Sequence, residues 1–184
     1  VRLEKRVPFK QTALVRACPG IAIGDPREDA ISVLMDALSG LSSELFISVR
    51  DQRGLAYYTG ATQFSGPVGG LFIIYAGTTA EGLPEVEAQI DVQAARLARD
   101  GTEPDEFARA IEQLLAEQAR AWQNNAGLAQ QCALDELLGL GWRHALETPE
   151  RLKRLEATAV RSAAESIFAA GAGVTAVVLP GAPP

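Results

Sequence analysis

Arg50 and Tyr57 are the two side chains whose type and spacing could serve a reaction, and they stand seven residues apart. The pattern puts Arg50 in the last turn of an amphipathic helix and Tyr57 near the start of the strand that follows Gly54. A helix end and the next strand start can set a guanidinium beside a phenol. Several fixed donors would then aim at a peptide carbonyl or a developing oxyanion, which is what acyl-transfer chemistry requires. Each residue also has a purely structural explanation. An arginine in a last helical turn complements the helix dipole, and a strand tyrosine packs its ring. Pattern alone leaves both readings open and puts the structural one ahead.

No other constellation offers chemistry of its own. The chain has a single histidine, His144, in Trp142-Arg143-His144, with no second histidine or cysteine nearby to share a metal, so it reads as a surface or partly packed side chain. Cys18 and Cys132 lie too far apart in sequence to form a metal-ligand pattern and read as buried free thiols. Glu81, Glu85 and Glu87, and the group Glu103, Asp105 and Glu106, read as helix-start and solvated-face charges. Gly66 to Gly70 lacks the Lys-Ser/Thr that a phosphate loop needs. Seventeen basic against twenty-three acidic side chains give a net charge of −6 and no clustered basic face, which disfavours nucleic acid as a partner. The apolar runs Leu71 to Gly77 and Val174 to Leu179 have strand length, short of a membrane span.

The elements that must position Arg50 and Tyr57 can be read in order. Gln11 to Ala17 alternates as a strand, stopped by Cys18-Pro19-Gly20. Asp25-Pro26 opens a helix with Ile31, Leu34, Met35 and Leu38 on one stripe, ending at Gly40. Ser42 or Ser43 caps a second helix with Leu45, Phe46 and Val49 on its buried face. Leu55 to Phe64 forms a strand with Leu55, Tyr57 and Thr59 on one face and Tyr58 on the other, and the Gly66–Gly70 turn returns it into Leu71 to Ala76. Tyr58 and Tyr75 read as sheet residues, Gly54 and Gly77 as tight-turn glycines, and Arg53 as solvated.

Thr78 and Glu81 suggest a capping box for a helix carrying Leu83, Val86, Ile90 and Leu97; Glu103-Pro104-Asp105 opens another, packed antiparallel to it. Leu128 to Leu138 is a short helix, Thr148-Pro149-Glu150 starts the next, Glu156 to Phe168 is the last, and Val174 to Leu179 closes as a strand. Strands first and last, with helices between, predict an α+β two-layer domain in which helices cover one face of a largely antiparallel sheet.

The run from Ser42 to Gly77 resembles the C-terminal half-domain of the insulinase/pitrilysin-type zinc peptidases. The matching residues are Ser42-Ser43, Leu45-Phe46, Val49-Arg50-Asp51, Arg53-Gly54-Leu55-Ala56-Tyr57 and Tyr75-Ala76-Gly77-Thr78, with Glu44 and Asp51 where the family commonly has Arg and Glu. Lys10-Gln11 and Pro19-Gly20 match the family's opening segment. The resemblance covers about Lys10 to Gly181 and is thin after Thr102. It implies the LuxS/processing-peptidase-like metallohydrolase fold, with residues 1–9 as linker, 10–181 as the half-domain and 182–184 as tail. A chain that opens at Val1 reads as part of a longer one.

The resemblance further implies a non-catalytic half that closes the substrate chamber. Arg50 and Tyr57 would help bind the peptide at the scissile bond. Zinc would sit in a partner half bearing H-x-x-E-H, in the same chain or a separate subunit, with no cofactor in this chain and no activity expected of it alone. The alternative within the same superfamily is a structural or assembly module without peptidase activity, as in core subunits of a respiratory complex.

Overall fold

The computed structural model describes residues 1–39, 56–169 and 173–181. Five strands form one sheet: β1 (Arg2–Val7), β2 (Thr12–Gly20), β3 (Ala56–Ser65), β4 (Gly70–Thr78) and β5 (Val174–Pro180), in the order β1-β5-β2-β4-β3. Every pairing is antiparallel except β1 with β5. The described helices are α1 (Glu28–Ser39), α2 (Leu83–Asp100), α3 (Pro104–Ala121), α4 (Asn125–Leu137), α5 (His144–Arg154) and α6 (Ala157–Ile167). The expected α+β two-layer architecture is therefore the one observed.

Alternation along the strands decides which face the helices cover. Leu14 on β2, Phe72, Ile74 and Ala76 on β4, and Val177 on β5 are almost wholly buried and meet Ile31, Leu34 and Leu38 of α1, Val86 and Ile90 of α2, and Val160 of α6. Phe72 meets Phe168 edge to face, with ring centroids 5.7 Å apart. The helix stripes at three- and four-residue spacing supply the other half of this core. Arg2 and Arg16 face the same way and pair with Glu87 and Asp91 of α2.

Several expectations are corrected in detail. Residues 1–9, read as linker, contain β1. Its charged residues Arg2, Glu4, Lys5 and Arg6 give no burial pattern, so the strand is defined only by its backbone ladder to β5, and charge on an edge strand discourages further pairing. Pro19 does not stop β2, which runs to Gly20. Beyond Ala17, opposite Val174, β2 pairs among the described residues with β4 alone, and a residue lacking an N–H is tolerated on such a one-sided stretch.

The helix expected to open at Thr78 begins at Leu83, with Pro84 in its first turn and the Thr79 hydroxyl accepting from Gly82 N–H at 3.0 Å. Instead of pairing with each other, α2 packs chiefly on α6 and α3 on α1, while Arg96 of α2 joins Glu106 of α3 at 3.0 Å. Pro149 lies inside α5, not at its start. A proline there cannot donate to the carbonyl four residues back, that of Ala145, and Gln118 Nε2 donates to that carbonyl at 3.2 Å.

β3 is an edge of the sheet among the described strands, and its middle is closed by α1. Ser39, the last residue of α1, accepts from Ala61 N–H at 2.7 Å and donates to Ala61 C=O at 3.2 Å. One hydroxyl thus satisfies both outward groups of an edge residue whose side chain is only 8% exposed. Ser39→Ala should cost about 1–3 kcal/mol, the penalty for orphaning such groups, read as a lower urea midpoint with an unchanged slope. An unchanged midpoint would show that water replaces the hydroxyl at no cost.

Candidate functional site

The Arg50 helix, with Arg53 and Gly54, lies outside the described residues, so the site is built from the Tyr57 side. β3 and β4 pair without interruption from Ser65↔Gly70 back to Tyr58↔Gly77, and the next pair is Ala56↔Thr78. One residue of β3, Tyr57, has no counterpart on β4. This is a β-bulge, which bends a strand and re-aims side chains.

The expected alternation of Tyr57 and Tyr58 is accordingly broken. Ala56 is buried on the helix side, and both tyrosines are exposed, Tyr57 at 55% and Tyr58 at 43%. Thr59, expected to share a face with Tyr57, pairs with Ala76 and shares the helix side with Ala56 and Ala61. The Tyr57 phenol makes no hydrogen bond to another described residue and can donate outward.

Beside the bulge, two tyrosines face two glycines across the hairpin: Tyr58 opposite Gly77, and Tyr75 opposite Gly60. A Cβ on Gly77 would fall 2.5 Å from Tyr58 Cζ, and one on Gly60 would fall 2.6 Å from Tyr75 Oη. The two rings are tilted at 48° with centroids 6.2 Å apart. Counting back from the Ser65↔Gly70 pair reveals both Gly–Tyr pairs in the sequence, so Gly77 is better explained as a seat for a ring than as a turn residue. The bulge itself has no such local signal.

A cavity of about 440 Å³ lies elsewhere, between α1, α3, α4 and α5, with Glu28, Trp122, Asp135, His144 and Arg151 among its walls. Its buried carboxylate is structural. Asp135, 2% exposed, accepts from Gln131 Nε2 at 2.8 Å and from Ala145 N–H at 2.9 Å, tying α4 to the first turn of α5. His144, expected as a surface or partly packed residue, opens α5 with Nδ1 3.7 Å from Asp135 and its side chain 25% exposed. Arg151 is engaged by Asp29 at 2.8 Å. Cys18 and Cys132 are both free thiols, the first buried and the second half-buried, and burial pushes the Cys18 thiol up.

The donor set does not fit zinc. The chain has one histidine, and among the described residues no three of His, Cys, Asp or Glu converge as a metal site. No described helix is long and apolar enough to cross a membrane.

Asp36 on α1 carries the clearest electrostatic tension. Burial and the negative charges of Glu117 and Glu106 push its carboxyl up to about 6, against the opposing pull of Arg109. The folded state then holds this proton more tightly than the unfolded chain. Its contribution therefore favours folding most below about pH 4 and turns against folding as pH rises through 6. Asp36→Asn should raise stability by roughly 1–2 kcal/mol at pH 7.5, allowing for solvent screening of a half-buried carboxyl, and by nearly nothing below pH 4. Urea titrations of both proteins across that range would read it, and a pH-independent difference would sink the assignment.

Comparison with known proteins agrees with the fold and supplies the family. The family described as "Peptidase M16 inactive domain" matches residues 1–114. A protein named as an uncharacterized zinc protease from Streptomyces coelicolor is 31% identical over 149 residues, covering 79% of this chain and 31% of that protein. Another so named, YmxG of Bacillus subtilis, is 32% identical over 114 residues, covering 61% of this chain and 28% of that protein. The matched chain thus spans less than a third of either relative. Among solved structures, a peptidase M16 inactive domain from Pseudomonas fluorescens superposes with a TM-score of 0.85 at 22% identity, over 98% of this chain and 43% of that one. The inactive peptidase domain of a protein described as a zinc protease from Bordetella parapertussis superposes with a TM-score of 0.82 at 15% identity, over 95% of each chain. The chain belongs to the peptidase M16 inactive-domain family, the C-terminal half-domain of the M16 zinc peptidases.

Proposed function

We propose that this domain helps bind the peptide substrate of a zinc metalloendopeptidase and closes the chamber over it. The zinc belongs to a partner half bearing H-x-x-E-H, in the same polypeptide or a separate subunit. The observation that carries the reading is the bulge that leaves the Tyr57 phenol exposed and unengaged among the described residues. Membership in an inactive-domain family, relatives named as zinc proteases, and a chain with a single histidine all support placing the metal elsewhere.

In this reading the Tyr57 hydroxyl and the Arg50 guanidinium donate to the peptide at the scissile bond. They orient its carbonyl and stabilise the negative charge that develops there, which is worth most in a water-excluded chamber. Zinc in the partner half would supply Lewis-acid activation of water and carbonyl. The contribution of this chain is binding and orientation.

The test is made on the full natural gene product with its catalytic half. Tyr57→Phe and Arg50→Ala should each lower turnover by roughly ten- to a thousandfold, the range for deleting one oxyanion-type donor, with the melting temperature retained. Native mass spectrometry should find one zinc per pair of half-domains. Unchanged turnover in both variants would overturn the substrate-binding role. A zinc-free stable complex of half-domains would favour the assembly module instead.

A further inference from the structure

We infer that Tyr58 and Tyr75, seated on Gly77 and Gly60, are positioning residues that hold the bulge and so aim Tyr57; this rests on the substrate-binding reading of Tyr57. A bulge needs two fixed ends, because a strand with one extra residue can otherwise shift its register to remove it. At one end Ala56 is 6% exposed and pairs with Thr78, which is fully buried, so that pair is pinned to the helix-covered face. At the other end lies the Gly–Tyr square.

The square pins the hairpin because its pieces are not interchangeable. Tyr58 can lie across the strand only where the partner has no Cβ, and Gly77 is that partner; Tyr75 uses Gly60 in the same way, one step further along the hairpin. Shifting β3 by one residue to erase the bulge would set Tyr57 opposite Gly77 and Tyr58 opposite Ala76. Ala76 is 1% exposed on the helix side, so this register would drive a phenol into the packed core. With the helix-side pair fixed before it and the ring seats fixed after it, Tyr57 is the residue left over, and it is turned outward. Neither Tyr58 nor Tyr75 needs to touch substrate to do this.

The experiment uses the full gene product, fluorescein-labelled β-casein as the cleavage probe, and amide hydrogen exchange across β3. Tyr58→Ala and Gly77→Ala should each lower kcat about ten- to a hundredfold with KM changed less than about threefold, since a misplacement near 1 Å costs rates of this order. Tyr58→Phe, which keeps the ring on Gly77, should stay within about twofold of the parent. The double variant Tyr58→Ala/Gly77→Ala should be no worse than either single change, because both remove one seating. Exchange at residues 56–59 should accelerate in the two single variants and not in Tyr58→Phe.

The exchange arm is independent of activity. If Tyr57→Phe leaves turnover unchanged, the substrate-binding role of Tyr57 fails, yet faster exchange in Tyr58→Ala and Gly77→Ala still supports the positioning of the bulge. Parental exchange in both variants overturns the positioning inference whatever the kinetics do. Parental kcat in both, alongside a Tyr57→Phe defect, overturns it as well. Should Gly77→Ala fail to fold, Tyr58→Ala against Tyr58→Phe decides the matter alone.

Discussion

β4 is held on both sides, by β2 from Thr12 to Gly20 and by β3 from Ala56 to Ser65, and the register of these two ladders governs the rest of the domain. Its inner face carries Phe72, Ile74 and Ala76, each at most 1% exposed, against helices whose apolar stripes match them. Side chains alternate with a period of two, so a slip of one residue would exchange this face for the one carrying Leu71, Ile73 and Tyr75. Burial on one side alone therefore fixes the pairing of three strands. The outer features of β3, its bulge, its seated tyrosines and the Ser39 contact that closes its edge, all inherit that register.

Local period was sufficient for most of this. Leu83, Val86, Ile90 and Leu97 announce a helix face, and the alternation of residues 12–17 announces a strand, because each pattern states which side must leave water. Elements whose cause lies far off in sequence could not be read in this way. β1 has no apolar face and exists through backbone bonds to a strand more than 170 residues later, as the contact of Val1 with Gly173 illustrates. Pro149 is accommodated inside α5 with Gln118, 27 residues before Ala145, bonded to the carbonyl that the proline leaves free. The bulge at Tyr57 comes from two pairings that disagree by one residue, Ala56↔Thr78 and Tyr58↔Gly77, and neither carries a local mark. Of the candidate site, the sequence singles out Tyr57 as a candidate, and its place at a bulge is visible only in the pairing.

Charge is distributed to match this division of labour. Arg2, Arg16 and Arg96 clamp the helix layer through Glu87, Asp91 and Glu106, and Asp135 caps α5, so the partly buried charges of the helical side are largely engaged. Asp36 differs from these, its carboxyl pushed up to about 6 by burial first and then by the charges of Glu117 and Glu106. It lies on α1, on the helix side of the sheet. The outer face of the β3–β4 hairpin is built from rings and aliphatic groups, with Tyr58, Tyr75 and Phe64 beside Leu71 and Ile73.

The bulge is hard to explain by stability. An uninterrupted ladder would keep one more regular pair, and a tyrosine more than half exposed forgoes most of the gain from burying its ring. A bulge leaves one residue out of the pairing and needs fixed pairs on either side. Here those pairs are present: Ala56 with Thr78 against the helices, and two glycines kept bare so that two rings can lie on them. Six positions are thus constrained around a seventh, Tyr57, which is left unpaired and outward-facing. Among the described residues no metal site forms, and what the hairpin edge presents is an exposed phenol with a fixed pair on each side of the bulge.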